Sequence, residues 1–291
     1  MTPEPIAFTG SANNVLRGDY WPSGSPNSTP NLFMHGGGQT RHAWDAAAAR
    51  VTRIGPAITV DARGHGESDW VGDGDYRMPS IASDLVEISM QVREGFGRPP
   101  VLVGASMGGI CAMVAGEAHP DLFAALVLVD ITPRMEQSGV DRVLGFMGER
   151  ARDGFASVDE AADAIAAYLP QRKRPRSLDG LAKNLRQRDD GRWYWHWDPA
   201  FVSGPMAVES RLEQHAERLT RGVQNLRCPI LLVRGSQSEL VSEEAVADFR
   251  AAVPHAEFVD VSGAGHMVAG DRNDVFADAV IDFIERTEAA A

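Results

Sequence analysis

Short runs of apolar residues recur along the chain, and helical patterns of apolar residues follow most of them. The runs that have the length and β-branched content of buried strands are residues 31–35, 57–61, 100–104, 124–130, 229–235 and 256–261. This alternation predicts an α/β fold in which a mostly parallel, twisted sheet is covered by helices on both faces. The residues up to Trp21 are predicted to add one or two antiparallel strands at an edge.

Three segments carry clear helical patterns. Apolar residues repeat every 3.6 positions in 79–95, Ser242 can cap a helix over 243–253, and an apolar stripe runs along 272–288. Because these segments alternate with the predicted strands, we expect them to lie on the faces of the sheet.

The alternation stops between residues 133 and 227. This segment has helical patterns, including a capping box at Ser157 and Glu160, and no convincing run of β-formers. The segments before and after it both belong to the predicted sheet. We therefore predict a helical cap over 133–227, inserted into a core that residues 1–132 and 228–291 form together.

Composition and charge restrict the classes of partner. The chain has 291 residues, of which 44% are hydrophobic and 23% charged, as is typical of a globular protein. A net charge of −12 would repel a phosphate backbone, and the basic cluster within 172–176 is too local to reverse this, so no nucleic-acid partner is predicted. No apolar run reaches the ~18 residues that span a bilayer. Since the N-terminus also lacks a signal-peptide pattern, we predict a cytoplasmic location and no membrane partner.

A single serine lies between glycines directly after the strand predicted at 100–104. Residues 104–108 read Gly-Ala-Ser-Met-Gly and match the pattern G-x-S-x-G. A nucleophile on a sharp turn from strand to helix needs a strained backbone, and Cβ atoms at the flanking positions would collide. The helix N-terminus favours negative charge that develops nearby. Ser106 is therefore the predicted nucleophile.

A second glycine-rich segment follows another predicted strand. His35 precedes Gly36, Gly37 and Gly38, whose backbone N–H groups are accessible to a ligand. Acyl transfer needs two such donors for its oxyanion. We predict that the N–H groups of Gly37 and Met107 provide them.

A histidine is needed as the general base for Ser106. His266 ends a Gly-Ala-Gly-His loop between the last predicted strand and the last helix, at the same edge of the sheet as Ser106. His35 and His65 lie in tight turns beside glycines and are interpreted as structural. His266 is therefore the predicted base.

Five motifs together resemble those of the α/β-hydrolase family, in its branch of serine esterases and haloperoxidase-like enzymes with a helical cap. They are H-G-G-G at 35–38, D-A-R-G-H-G-E-S at 61–68, G-A-S-M-G at 104–108, V-D-I-T-P at 129–133 and G-A-G-H at 263–266. They occur in family order and cover the chain from about residue 30 to its end. The resemblance implies the α/β-hydrolase fold and a triad that includes an acid.

The resemblance leaves two positions for this acid. In many family members it follows the strand after the cap in a G-x-x-D turn, where this chain has Ser238 and, one residue later, Glu239. In a subset it ends the strand after the nucleophile helix, which matches Asp130. Both positions lie at carboxyl ends of strands, from which either acid could orient His266. We favour Asp130 as the acid and keep Glu239 as the alternative, because Glu239 lies one residue past the position where many family members carry the acid.

The predicted activity is that of a carboxylesterase-like serine hydrolase, which cleaves a small ester or related acyl substrate through an acyl-enzyme intermediate. No metal or cofactor is expected, because the chain lacks clustered ligand spacing and a dinucleotide fingerprint. The same triad fits a lactonase, a carbon–carbon bond hydrolase or a cofactor-free perhydrolase. A serine at position 106 argues against the family's haloalkane dehalogenases and epoxide hydrolases, which use a carboxylate there. The alternative from another class is a hydrolase-fold ligand receptor.

Residues that could contact the substrate lie around the glycines and in the predicted cap. They are Gly36, Gly38, Arg134, Trp195, Trp197 and Met267. The two tryptophans could line an acyl pocket or simply pack the cap onto the core. Arg134 could bind a carboxylate or pair with a neighbouring acid. The oligomeric state is left open.

Overall fold

The main feature of the molecule is an eight-stranded sheet. The computed structural model describes residues 2–25, 27–170, 177–209, 211–266 and 273–289. The strands of the sheet are β1 (Glu4–Thr9), β2 (Val15–Trp21), β3 (Asn31–Met34), β4 (Ala57–Val60), β5 (Val101–Ala105), β6 (Ala125–Val129), β9 (Ile230–Gly235) and β10 (Glu257–Val261). Their spatial order is β1-β2-β4-β3-β5-β6-β9-β10.

The six strands from β4 to β10 in this order run parallel, and β2 is antiparallel to both of its neighbours, β1 and β4. The predicted α/β fold, with a mostly parallel sheet and an antiparallel edge, is confirmed. Strands β3, β4 and β6 are buried along their whole length, as expected where both faces of a sheet are covered.

Helices cover both faces of the sheet. Those outside the segment between β6 and β9 are α1 (Asp45–Val51), α2 (Met78–Phe96), α3 (Met107–Gly116), α9 (Glu243–Ala252) and α10 (Asn273–Ala289). Side chains alternate between the two faces along each strand, so Leu32 and Met34 join the cluster under α2 and α3 while Phe33 joins the one under α1 and α10. None of the helices described is both long and apolar enough to cross a membrane.

The segment between β6 and β9 adds no strand to the main sheet within its described part. Its helices are α4 (Gln137–Gly148), α5 (Val158–Tyr168), α6 (Asp179–Ala182), α7 (Ala200–Ser203) and α8 (Ala216–Asn225). Helix α8 packs against α3, and its Leu219 and Val223 belong to the same buried cluster as the core helices. The cap boundaries at 133 and 227 stay a prediction.

This segment also holds a small antiparallel hairpin, which the expectation of a purely helical segment missed. It pairs β7 (Leu185–Gln187) with β8 (Trp193–Trp195), and Gly191 adopts a φ of 77° in the connecting turn. Aromatic residues favour strands. Each strand has only three residues, which is too short for an alternating pattern to reveal it.

Helices α3 and α8 cross with their backbones in contact. A Cβ atom on Gly222 would overlap the carbonyl oxygen of Met113, and one on Gly116 would overlap the carbonyl oxygen of Gly222. A close-packed interior cannot absorb an added methyl group at such a point without moving a helix. Glycine is therefore required where these helices cross.

We expect Gly222→Ala to lower the free energy of unfolding by about 2–3 kcal/mol, because the new methyl group must push α8 away from α3. Urea unfolding measures this change. Gly145→Ala is the matched control, since no described atom outside the local backbone of α4 and the two chain neighbours lies within 4 Å of a Cβ at that position. It should stabilise the protein by up to about 1 kcal/mol, as alanine is the better helix former. Equal urea midpoints for Gly222→Ala and wild type would contradict the close crossing.

Candidate active site

Ser106 lies at the turn between β5 and α3 and is partly exposed. Its backbone has φ 46° and ψ −110°, which is strained for any residue with a Cβ atom. A Cβ on Gly104 would come within 2.7 Å of the carbonyl carbon of Gly108, and one on Gly108 within 2.5 Å of the carbonyl oxygen of Met34. Both glycines of the motif are thus required by the tightness of the turn that carries Ser106.

The glycine-rich loop after β3 lies beside Ser106, since a Cβ on Gly36 would be 3.4 Å from the Ser106 Cβ. The N–H of Gly36 donates to Gln39 Oε1 at 3.1 Å. The N–H of Gly38 donates to His65 Nε2 at 3.1 Å. Two of the three glycine N–H groups in this loop are therefore already engaged.

The N–H groups of Gly37 and Met107 have a different environment. Neither has a hydrogen-bond acceptor among the residues that the structure describes. Met107 is the first residue of α3, where N–H groups have no acceptor within the helix. Both groups are available to a ligand, and their role as oxyanion donors stays a prediction.

The structure brings His266 and Asp130 together. His266 Nδ1 lies 2.7 Å from Asp130 Oδ2. The carboxylate of Asp130 is fully buried directly after β6, where Oδ1 accepts the N–H of Gly235 at 2.9 Å and Oδ2 accepts the hydroxyl of Ser238 at 2.6 Å. An imidazole whose Nδ1–H donates to a carboxylate has Nε2 free to accept a proton.

The loop that carries His266 is attached to the end of β9. The N–H of Gln237 donates to the carbonyl oxygen of Ala264 at 2.9 Å, and the N–H of Gly263 donates to Ser236 Oγ at 3.0 Å. Because β5, β6, β9 and β10 run parallel, their carboxyl ends lie at one edge of the sheet, which is where Ser106, Asp130 and His266 are found.

Glu239, the alternative acid, lies elsewhere. Its carboxylate accepts a hydrogen bond from Arg142 Nη1 at 2.7 Å, and its side chain is 37% exposed. No hydrogen bond found among the described residues joins it to His266. Ser238, at the position where many family members carry the acid, donates to Asp130 instead.

The two tryptophans proposed for a pocket are enclosed by other aromatic side chains. Trp195 is buried at 5.1 Å from the ring of Phe155 and 6.0 Å from that of Phe146. Trp197 is buried beside Phe201, with ring centroids 6.2 Å apart. These contacts join aromatic side chains within the segment between β6 and β9. A role of the two tryptophans in a substrate pocket stays a prediction.

Two further residues, Arg134 and Met267, were predicted to contact the substrate. Arg134 is exposed and pairs with Asp248 at 2.8 Å and Glu244 at 3.2 Å, both on α9, so the structure does not bring it to the site. Met267 lies outside the described residues, as does the basic cluster within 172–176.

Two buried apolar side chains lie against the glycine loop. A Cβ on Gly37 would be 3.3 Å from Phe201 Cζ, and one on Gly38 would be 2.8 Å from Met147 Cε. Phe201 was not among the residues selected from the sequence. Nothing in its local pattern separates it from other buried aromatic residues, because its contact with Gly37 arises only in the folded chain.

His35 and His65 are fully buried next to this loop. His35 Nδ1 contacts the carbonyl oxygen of Gly36 at 2.8 Å, and its Nε2 accepts the N–H of Ala62 at 3.0 Å. Burial lowers the pKa of His35 to about 4. Burial, together with the neighbouring His35, lowers the pKa of His65 to about 3. Both imidazoles are therefore neutral at neutral pH.

We expect the free energy of unfolding to fall as the pH drops from about 7 to about 5. An unfolded histidine binds a proton near pH ~6.5, whereas His35 and His65 stay neutral in the folded protein down to a pKa of about 4 and about 3. The unfolded state then binds more protons, so each histidine removes about 1.4 kcal/mol of stability per pH unit below its unfolded pKa. Urea unfolding across this range measures the slope.

His65→Gln removes one of the two buried histidines that make the unfolding free energy depend on pH. Its unfolding free energy should depend on pH with about half the slope that the two buried histidines produce in wild type. Identical slopes in the variant and in wild type would contradict the assignment of neutral, buried histidines.

Comparisons with known proteins agree with this geometry. The family model of the alpha/beta hydrolase fold matches residues 32–272. Esterase Rv0045c of Mycobacterium tuberculosis is 31% identical over 280 residues, which cover 93% of this chain and 85% of that protein. The 2-(acetamidomethylene)succinate hydrolase of Mesorhizobium japonicum is 28% identical over 87% of each chain.

A solved structure supports the fold independently. The crystal structure of an E-2-(acetamidomethylene)succinate hydrolase matches with a TM-score of 0.82 at 22% identity, over 98% of this chain and 100% of that chain. At this identity the likeness concerns the fold. The match of the family model over most of the chain, together with the relatives and the sheet described above, shows that this protein belongs to the α/β-hydrolase family.

Proposed function

We propose that this protein is a serine hydrolase that cleaves a small ester or related acyl substrate through an acyl-enzyme intermediate. The observation that carries the proposal is the hydrogen bond of 2.7 Å between His266 Nδ1 and Asp130 Oδ2, at the edge of the sheet where Ser106 occupies its strained turn. The names of the relatives, an esterase and a hydrolase, support hydrolase activity of an esterase-like kind.

In the proposed reaction, His266 Nε2 accepts the proton of Ser106 Oγ while Oγ attacks the carbonyl carbon. The N–H groups of Gly37 and Met107 donate to the oxyanion of the tetrahedral intermediate. His266 then gives the proton to the leaving alkoxide, and the acyl group remains on Ser106. A water molecule attacks this acyl-enzyme with His266 as base, which releases the acid and restores the serine.

Asp130 is the proposed acid of the triad. Its carboxylate holds the imidazole in the tautomer that has Nε2 unprotonated, and it stabilises the imidazolium that forms during attack. The N–H of Gly235 and the hydroxyl of Ser238 fix the two carboxylate oxygens from the other side. Asp130 is fully buried and the His266 side chain is 19% exposed, so little water screens this pair, which strengthens the interaction.

The proposed substrate is uncharged near the reacting carbon. Met147 and Phe201, both buried, contact the loop that contains Gly37. Such an apolar surrounding suits a hydrocarbon acyl or alcohol group. Arg134 and Glu239 hold their charges in ion pairs with other side chains, so neither supports recognition of an ionic substrate.

A substrate screen tests this proposal. We expect wild type to hydrolyse short p-nitrophenyl esters such as the acetate and butyrate, and Ser106→Ala to hydrolyse them at least about 10⁴-fold more slowly. Turnover confined to lactones, vinylogous diketones or peracid formation would replace the esterase by one of the other activities of the same triad. Absence of turnover on every substrate by folded wild-type protein would contradict the proposal and favour a ligand receptor.

A further inference from the structure

His65 is a fully buried titratable residue that the proposed reaction does not use, yet it contacts the glycine loop directly. Its Nε2 lies 3.1 Å from the N–H of Gly38, and its Nδ1 lies 3.0 Å from the carbonyl oxygen of Arg63. A carbonyl oxygen only accepts, so Nδ1 must carry the proton, and Nε2 is then the acceptor for Gly38. A single neutral tautomer satisfies both contacts.

The loop is held at two points that flank Gly37. On one side Gln39 Oε1 accepts the N–H of Gly36, and on the other side His65 Nε2 accepts the N–H of Gly38. These contacts restrict rotation of both neighbouring peptides. The N–H of Gly37 remains the one in this loop without an acceptor among the described residues.

His65 is itself held in place by the segment between β6 and β9. Its ring meets the ring of Phe201 edge-on, with centroids 4.7 Å apart, and its backbone forms a bridge with Trp197. On either side of it, the N–H of Asp198 donates to Gly64 and the N–H of Gly66 donates to His196, each at 2.7 Å. The imidazole is thus fixed before any substrate binds.

We propose that His65 is a positioning residue of the oxyanion hole, whose neutral imidazole holds the Gly38 peptide so that the N–H of Gly37 faces the oxyanion. The inference rests on the proposed function, because it takes the N–H of Gly37 as one of the two donors. Preorganised donors stabilise a transition state because they need no reorganisation when charge develops. A loosened loop would lose part of that effect while substrate binding stays nearly unchanged.

Two substitutions of similar size distinguish the roles of the two hydrogen bonds that His65 forms. Gln can place an oxygen where Nε2 lies, so His65→Gln keeps an acceptor for Gly38. Asn reaches only as far as Nδ1, so His65→Asn can keep the donor to Arg63 and removes the acceptor for Gly38. With p-nitrophenyl acetate we expect kcat to fall about 10- to 100-fold in His65→Asn, with KM within about threefold, whereas kcat of His65→Gln stays within about threefold of wild type.

A transition-state analogue distinguishes positioning from general loss of structure. A trifluoromethyl ketone forms a tetrahedral adduct with the serine, and its inhibition constant should weaken in His65→Asn by the same factor as kcat/KM falls. Ser68→Ala is the matched control in the loop that carries His65. The Ser68 hydroxyl donates to the carbonyl oxygen of Asp61 and accepts the N–H of Arg17, and neither contact involves the glycine loop. It should lower the urea midpoint and leave kcat unchanged.

Several results would overturn the proposal. These are an unchanged kcat in folded His65→Asn, equal losses in the Asn and Gln variants, or an inhibition constant that does not follow kcat/KM. Should His65→Asn not fold, ¹H–¹⁵N NMR of wild type decides, because a His65 protonated at Nε2 would exclude the bond from Gly38. Failure of the proposed function has a different signature, since Ser106→Ala would then keep the wild-type rate or wild type would show none.

Discussion

Ser106→Ala is expected to lower kcat for p-nitrophenyl acetate by about 10⁴-fold or more, with the fold intact. The substitution removes the hydroxyl oxygen proposed to form the acyl-enzyme, and the other members of a triad cannot compensate for a lost nucleophile. The residual rate would come from the N–H groups of Gly37 and Met107, which still stabilise an oxyanion when water attacks directly. Release of p-nitrophenol by wild type and by the variant, at equal protein concentration and saturating substrate, measures the ratio of their kcat values.

Ser106→Gly is the matched control for this variant. It should be equally inactive, but it should be more stable than Ser106→Ala by about 1 kcal/mol. The reason is that Ser106 has a φ of 46°, which costs free energy for any residue with a Cβ atom and little for glycine. Urea unfolding of the two inactive variants provides the comparison. A glycine variant no more stable than the alanine variant would contradict the strained turn.

Asp130→Asn is expected to lower kcat/KM by about 10⁴-fold. An amide in place of the carboxylate cannot stabilise the imidazolium, and its NH₂ group favours the tautomer of His266 that has Nε2 protonated. Steady-state kinetics with p-nitrophenyl acetate measures the change, and a circular dichroism spectrum checks the fold.

Glu239→Gln is the control for the choice of acid. We expect its kcat/KM to stay within about twofold of wild type, because Glu239 is partly exposed and pairs with Arg142, and exposed ion pairs contribute little. A larger loss in Glu239→Gln than in Asp130→Asn would assign the acid to Glu239 and contradict the geometry at His266.

The main sheet and two elements of the candidate site were accessible from sequence because local patterns specify them. Buried parallel strands are continuous apolar runs, and the turn at Ser106 needs glycines at fixed positions on either side. His266 could be selected because the carboxyl ends of parallel strands share one edge of the sheet. Each of these inferences uses a few neighbouring residues and one general rule.

The acid could not be chosen with the same certainty, because its role depends on a contact between residues far apart in the chain. Asp130 and His266 are 136 positions apart, and their hydrogen bond exists only in the folded protein. The sequence also offered Glu239, which follows the end of β9 by four residues. Only the folded chain reveals that Arg142 pairs with this carboxylate.

The segment between β6 and β9 was the least accessible part. Its hairpin has strands of three residues, and its aromatic residues are similar in pattern whether they line a pocket or fill a core. The contact of Phe201 with Gly37 follows from how this segment packs on the glycine loop. Tertiary packing of this kind leaves no periodic signal in the sequence.

The proposed function requires that Ser106 is a nucleophile activated by His266. Reaction with a fluorophosphonate, followed by digestion and mass spectrometry, tests it directly, because such reagents form a covalent bond with an activated serine. We expect one adduct per chain, on the peptide that contains Ser106, and much slower labelling in His266→Ala. An adduct on a different serine, or labelling of Ser106 at the same rate without His266, would contradict it.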